Sequence, residues 1–274
     1  MPIVRHADVD IYFETFGSST DPTLLLVNGM GSQCINYDEA WCEKFVAQGF
    51  RVARFDNRDT GLSSKLDGRE YALDDMAADA VAVLDALGVE RAHVMGVSLG
   101  GMIVQRLAID HGDRVLSMTS VMSRTGDSDH GQSSPEALEI LMAAPAQTRA
   151  EYVDRQIAVL RIFGSKPEWI DEPYLRARAG RAYDRCYYPE GVRRQMYAVM
   201  RDGDRSEALR TVTVPALVMH GDRDTLIDAS GGRRTAELIP GARYVEIEGM
   251  GHDYPSAVWD RWVDTWAEFV RSIP

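Results

Sequence analysis

Cysteine, lysine and long apolar runs are all scarce in this chain, and each scarcity excludes something. The cysteines are Cys34, Cys42 and Cys186, three among 274 residues. An odd number without paired spacing argues against a disulfide framework and leaves buried free thiols as the expectation. No stretch approaches the roughly 18 consecutive apolar residues that span a bilayer. The opening MPIVRHADVD lacks the apolar segment of a secretory signal. A soluble, cytoplasmic protein with no membrane partner is therefore expected. Lysine occurs only at Lys44, Lys65 and Lys166, so the basic residues are nearly all arginine, which reads as a bias towards GC-rich codons. Positive charge is itself in deficit: 30 Lys and Arg face 42 Asp and Glu, a net charge of −12. That balance argues against nucleic acid, whose phosphates need a basic surface, and against anionic membrane surfaces.

What is present is an ordinary globular composition, 45% apolar and 26% charged. A chain of this length can bury a large core without metal or disulfide staples. Short apolar strands alternate with amphipathic helices, the pattern of a parallel sheet with crossover helices. Residues 2–7 and 9–15 read as an opening hairpin, and Thr23–Val27 (TLLLV) as a strand covered on both faces. A helix is expected over Tyr37–Gln48, a strand over Arg51–Phe55, and a helix over 73–87 that stops at Gly88. Ala92–Val97, a helix over 99–111 and a strand over Val115–Val121 follow. The alternation then breaks. Residues 123–210 read as a mostly helical insertion, before strands return at Pro215–Met219 and Arg243–Ile247. A last helix over about 256–271 carries Trp259, Trp262 and Trp266 at helical spacing, which predicts core packing. The division is a core of 1–122 and 211–274 with a helical cap of 123–210. Insertions of this kind commonly roof a site at the carboxyl ends of the strands.

The decisive motif is Gly96-Val97-Ser98-Leu99-Gly100-Gly101, placed between a predicted strand and a predicted helix. That context is what a G-x-S-x-G nucleophile elbow requires: a strained turn that holds the serine hydroxyl above the sheet, flanked by residues small enough for close backbone approach. A dinucleotide fingerprint does not fit. The 96–101 segment lacks the second glycine at the required place, and Gly29-Met30-Gly31 has no glycine at 34.

A serine hydroxyl needs a base within hydrogen-bond reach. The partners of such an elbow follow it in the order Asp or Glu, then His. Of six histidines, His6 and His93 come too early. His111 ends a helix, His130 lies in the insertion and His220 ends a late strand. His252, in Gly249-Met250-Gly251-His252-Asp253, stands in a loop after the last strand, where the order places the base. For the acid, Met219-His220-Gly221-Asp222-Arg223-Asp224 offers Asp224, with Asp222 as runner-up and Asp228 beyond. A carboxylate there would fix the imidazole tautomer and stabilise the imidazolium. His220, Asp222 and Asp224 as a metal cluster find no supporting ligands, and no metal or cofactor is expected. A second oxyanion-hole amide is sought in Asn28-Gly29-Met30-Gly31-Ser32, where Met30 N–H would join Leu99 N–H.

The segments LLLVNGMG, FDNRDTGLSS, DAVAVLDALGVERAHVMGVSLGG, VPALVMHGDRDTLI and IEGMGHDYP span nearly the whole chain. In order and spacing they resemble the α/β-hydrolase superfamily, and within it a bacterial group that includes the aclacinomycin methylesterases and related carboxylesterases. The resemblance implies a mostly parallel central sheet with helices on both faces and a helical lid after the sixth strand. It also implies the roles of Ser98 as nucleophile, Asp224 as acid and His252 as base. Asn28 departs from the His-Gly common in the superfamily, which bears on the shape of the oxyanion loop and not on the triad. Arg58-Asp59-Thr60-Gly61 also resembles the bacterial group; the simplest reading pairs Arg58 with Asp59 to fix a loop near the elbow.

The function expected is hydrolysis of a carboxylic ester, lactone or thioester of an uncharged, largely apolar small molecule, through an acyl-enzyme. Carbon–carbon bond hydrolysis or cofactor-free perhydrolysis on the same triad is the alternative, followed by a non-catalytic binding protein on the same fold. Trp169, Tyr183, Tyr187, Tyr188 and Met200 of the insertion read as cap core, with pocket lining as the alternative. Self-association into a homo-oligomer is left open.

Overall fold

Strands that are apolar from end to end must be covered on both faces, and the computed structural model, which describes residues 2–273, covers them. β1 (Ile3–His6) and β2 (Val9–Phe16) form the expected hairpin, with Ile3 opposite Tyr12. β2 also pairs antiparallel with β4 (Arg51–Phe55). β3 (Thr23–Val27), β5 (Ala92–Val97), β6 (Val115–Val121), β7 (Ala216–Gly221) and β8 (Arg243–Ile247) continue the sheet in parallel. The order is β1-β2-β4-β3-β5-β6-β7-β8. Every residue of β3, β5 and β7 is buried.

Helices cover both faces. α1 (Glu39–Ala47) and α10 (Trp259–Arg271) share one core with Leu24, Val52 and Met95. α2 (Leu73–Ala86), α3 (Leu99–Asp110) and α9 (Ala229–Leu238) share the other with Leu25, Val94 and Met118. The tryptophans pack as the helical spacing predicts: Trp41, Trp262 and Trp266 are fully buried. Their rings meet edge to face, Trp41 on Trp262 at 6.0 Å and Phe45 on Trp266 at 5.2 Å between centroids, which joins α1 to α10.

Between β6 and β7 lie α4 (Pro135–Met142), α5 (Arg149–Phe163), α6 (Glu172–Arg185), α7 (Pro189–Asp202) and the short α8 (Ser206–Leu209). Within the mostly helical stretch expected over 123–210, residues 123–134 are not helical and the first helix starts at Pro135. There Asp127 accepts from the amides of Asp129 and His130, and such local side-chain bonds compete with helix. The helix expected from Tyr37 starts only at Glu39, because the Asp38 carboxylate caps it by accepting from Ala40 N at 2.9 Å. α9 has no counterpart in the sequence reading; its ASGGRRTAEL carries two weak helix formers, Gly231 and Gly232. Cys34 and Cys42 are buried free thiols as expected, whereas Cys186 is half-exposed. Among the described residues no helix is long and apolar enough to cross a membrane.

The parallel strands bring the ends of β3, β5, β6, β7 and β8 to one edge, so the loops at 28–32, 98, 122–125, 222–228 and 248–252 gather there. The tryptophan layer beneath that edge should carry much of the stability. Trp266→Ala is expected to cost about 3–5 kcal/mol, read as a lower urea midpoint with an unchanged slope. A loss below about 1 kcal/mol would contradict a close-packed layer.

Candidate active site

The elbow forms because neither neighbouring glycine has room for a side chain. A Cβ on Gly100 would lie 2.0 Å from the Val27 carbonyl oxygen, and one on Gly96 would lie 2.0 Å from that of Gly100. β3, β5 and the start of α3 therefore approach at backbone distance. Ser98 is held at φ 54°, ψ −119°, in the left-handed half of the map where a residue with a Cβ is strained. Its amide donates to Val121 O at 2.9 Å, and its carbonyl accepts from Ser123 Oγ at 2.8 Å. Its side chain stands at the floor of a cavity of about 680 Å³ roofed by α4–α7.

His252 reaches the same cavity from the loop after β8, with its side chain 8% exposed. Its Nδ1 bonds Asp224 Oδ2 at 2.7 Å. The other Asp224 oxygen accepts from the amides of Leu226 and Ile227, both at 2.9 Å. Burial pushes the Asp224 carboxyl up. The charge of His252 and hydrogen bonds from His220 and His252 outweigh burial and hold it at about 2. Asp224 is thus an anion fixed on the imidazole, which leaves Nε2 as the ring nitrogen without a protein partner among the described residues. No hydrogen bond joins Ser98 Oγ to His252 in this structure, although both line the cavity; such bonds are often long before substrate enters.

The rejected candidates have other duties. Asp222 is exposed and accepts from Gly249 N at 2.6 Å, bracing the turn before the histidine. Asp228 caps α9 through Ser230 N at 2.8 Å. His93 bonds Ser117, His6 bonds Asp79 and His130 bonds Asp127. His220 is wholly buried behind Asp224, with its Nε2 2.8 Å from Ile227 O and 3.3 Å from the carboxylate. Among the described residues His252 is the one histidine lining the cavity.

The 28–32 loop borders Ser98. Met30 and Leu99 both line the cavity, and among the described residues neither amide donates to a protein acceptor. Asn28, the departure from the common His-Gly, is fully buried; its carbonyl accepts from Asn57 Nδ2 at 3.0 Å.

The sequence reading paired Arg58 with Asp59, and the structure corrects it. Arg58 forks onto Asp79 at 2.6 and 2.9 Å, while Asp59 receives Arg194 of α7 at 2.7 and 2.9 Å. The RDTG segment is therefore a socket for the inserted helices. Its companion, Gln195, went unnoticed in the sequence. This fully buried side chain accepts from Gly31 N at 2.8 Å and donates to Arg58 O and Thr60 Oγ1 at 2.9 Å. Ser165, also unnoticed, accepts from Gly251 N at 3.0 Å and donates to Asp253, and His252 N donates to Phe163 O at 2.6 Å. A lone Gln or Ser inside helical sequence carries no motif, so only proximity reveals them. Of the five aromatic and Met residues read as cap core, Trp169 and Met200 line the cavity instead. Tyr183 and Tyr187 stack on each other at 4.9 Å, and Tyr188 bonds Asp67 and Arg194.

The model of the α/β hydrolase fold family matches residues 22–254. The chain belongs to the α/β-hydrolase family. It is 32% identical to the rhodomycin D methylesterase of Streptomyces peucetius and 33% identical to that of Streptomyces sp. strain C5, with 93% of each chain covered in both comparisons. The enol-lactonase from Burkholderia xenovorans LB400 superposes with a TM-score of 0.79 at 22% identity, over 99% of this chain and all of that one, a likeness of fold alone. With relatives of this identity and coverage, this α/β hydrolase is a hydrolase of the esterase type.

The Asp224 anion has a consequence for stability. Its value is depressed in the folded state, so its contribution of about 2 kcal/mol is complete above the unfolded carboxyl value near 3.9 and is lost as pH falls towards about 2. The stability gap between wild type and Asp224→Asn should be constant near neutrality and shrink steadily in urea titrations below about pH 4. A gap that widened on acidification would contradict the assignment.

Proposed function

We propose that this α/β hydrolase cleaves a carboxylic ester of a small to medium, largely apolar molecule through an acyl-enzyme, with Ser98 as nucleophile, His252 as base and Asp224 as orienting acid. Residues 1–122 and 211–274 are read as the catalytic core and 123–210 as its cap. The observation that carries the reading is one cavity lined by a serine in left-handed backbone and by a histidine whose far nitrogen is bonded to a buried carboxylate. The similarity to proteins named methylesterases supports an ester as the bond cut.

In this reading Ser98 Oγ attacks the carbonyl carbon and its proton passes to His252 Nε2. The oxyanion forms beside the Met30 and Leu99 amides, with the N-terminus of α3 adding its positive end. As the tetrahedral intermediate collapses, the imidazolium returns the proton to the departing alcohol. Water then repeats the sequence on the acyl-enzyme. Asp224 keeps Nδ1 protonated and stabilises the imidazolium throughout. Lactones and thioesters would be opened by the same groups. The apolar part of the wall, including Leu138, Leu141, Met142, Val159, Leu160 and Phe163, suits a hydrophobic acyl or alcohol group.

Gln195 is assigned a positioning role: it fixes the loop that aims Met30 N–H. Gln195→Leu, close in volume, should lower kcat by roughly tenfold or more with KM little changed, and should weaken a phosphonate transition-state analogue by a similar factor. A rise in KM alone would make it a cap-packing residue. The decisive test is Ser98→Ala against a chain-length series of p-nitrophenyl esters. Turnover should fall by roughly four orders of magnitude or more while the circular dichroism stays unchanged. A fluorophosphonate should label wild type and not the variant. Undiminished hydrolysis by Ser98→Ala would reject the nucleophile.

A further inference from the structure

Of the four inserted helices that line the cavity, α5 and α6 pack on each other, and their inward stripes are not uniformly apolar. From α5 come Tyr152, Gln156, Val159, Leu160 and Phe163, at the spacing of one helix face. From α6 come Tyr174, Leu175, Arg178, Ala179 and Ala182. Within this wall the guanidinium of Arg178, the amide of Gln156 and the hydroxyl of Tyr152 have no hydrogen-bond or ion-pair partner among the described residues. The cap's other inner arginines are engaged: Arg185 holds Asp56 at 2.8 Å, Arg194 holds Asp59, and Arg205 bonds Asp202, Gln105 and Arg124 O. Arg178 lies with its central carbon 5.9 Å from the ring of Tyr174, and its charge acts on the Asp253 carboxyl without a hydrogen bond or ion-pair contact, which leaves its N–H donors free.

The carboxylates of the same wall are committed to their own segments. Asp171 caps α6 by accepting from Tyr174 N at 3.1 Å, and Asp253 accepts from Ser165 N at 2.8 Å as well as from its hydroxyl. Arg124, at another part of the wall, donates to Gly131 O. A half-buried guanidinium, an amide and a phenol, none of them paired among the described residues, thus line one cavity of about 680 Å³.

We propose that Arg178, assisted by Gln156 and Tyr152, binds a carboxylate carried by the substrate at a distance from the bond that is cut. The planar guanidinium fork suits a carboxylate bidentately, and the surrounding apolar wall strengthens the pairing. The inference rests on the proposed ester hydrolysis and refines it: the substrate has an apolar body with one acidic group, where the sequence reading expected an uncharged molecule.

The experiment compares ω-carboxy p-nitrophenyl esters (the mono-esters of glutarate, adipate and suberate) with neutral valerate, hexanoate and octanoate. Wild type, Arg178→Met and Arg178→Lys are assayed where the carboxyl groups are ionised. For at least one chain length, Arg178→Met should lose about 30-fold or more in kcat/KM on the acidic ester and less than about threefold on its neutral partner, with Arg178→Lys between them. Equal losses on acidic and neutral esters at every length, or no loss on either, overturn the proposal. Calorimetric binding of 8-oxononanoate to wild type, against the neutral 2-nonanone as control, gives a second readout that needs no turnover and no variant. Tighter binding of the keto acid supports the subsite, and equal or weaker binding overturns it. Failure of wild type to hydrolyse any of the esters, acidic or neutral, would instead strike the proposed reaction, and the calorimetry would still decide the subsite.

Discussion

A serine at φ 54° costs on the order of 1–3 kcal/mol, and such a residue persists only where its surroundings leave it no alternative. Here the surroundings are backbone. Gly100 lies against the Val27 carbonyl, Gly96 lies against Gly100, and the Ser98 amide is tied to Val121. Relaxing the turn would require β3, β5 and β6 to separate, and of these β3 and β5 are buried at every residue and β6 at all but one. The strain is therefore balanced by the core itself. The position of the hydroxyl, the direction of the Leu99 amide and the start of α3 all follow from that one forced turn.

The rest of the site is assembled around it from two directions. The loop after β3 is clamped by the inserted helices: Gln195 takes the Gly31 amide, and Gln33 donates to Ala182 O and Cys186 O at 2.6 and 2.9 Å. The histidine loop is clamped by the end of α5, through Phe163 O, Ser165 and a bond from Lys166 N to Gly249 O at 2.9 Å. Asp224 is held by its own loop, by His220 and by the bond to His252, without a partner from the inserted helices among the described residues. The cap is thus part of the scaffold that aims the loops as well as a roof over the cavity. Any motion that carried α5 or α7 away would remove the partners of Gly251 and Gly31, so access to the cavity and alignment of its edge are physically coupled.

This division explains what could be read from the chain. The sheet was legible because doubly covered strands are apolar runs, and the elbow because its geometry tolerates so few residues at 96 and 100. That Ser98 and His252 line one cavity, with Asp224 bonded to His252, could be expected from order along the chain, since parallel strands bring every such loop to the same edge. α9 was not legible, because two glycines suppress its helical signal and burial against β7 and β8 supplies what propensity lacks. The Arg58–Asp59 pairing failed for a related reason. The two residues stand in a turn, Asp59 at φ 67°, and each meets a partner far along the chain, Asp79 in α2 and Arg194 in α7. Gln195, Ser165 and Arg178 had no local pattern at all; their meaning arises only when the insertion folds back over the core.

The same geometry revises the meaning of the arginine excess. Codon bias accounts for arginine on exposed helix faces, where lysine would serve as well. It does not account for Arg58, Arg185, Arg194 and Arg205, which sit in buried or half-buried sockets and each reach two or more groups. A single ammonium could not span Asp59 bidentately and Tyr188 together, nor join Asp202, Gln105 and the Arg124 carbonyl from within the core. Burying such a charge is tolerable only when its fork is filled. That condition is met at each of these positions by the protein's own acceptors. At half-buried Arg178 the protein fills no part of the fork: the Tyr174 ring lies beside it, and its N–H groups border the cavity without a protein acceptor among the described residues.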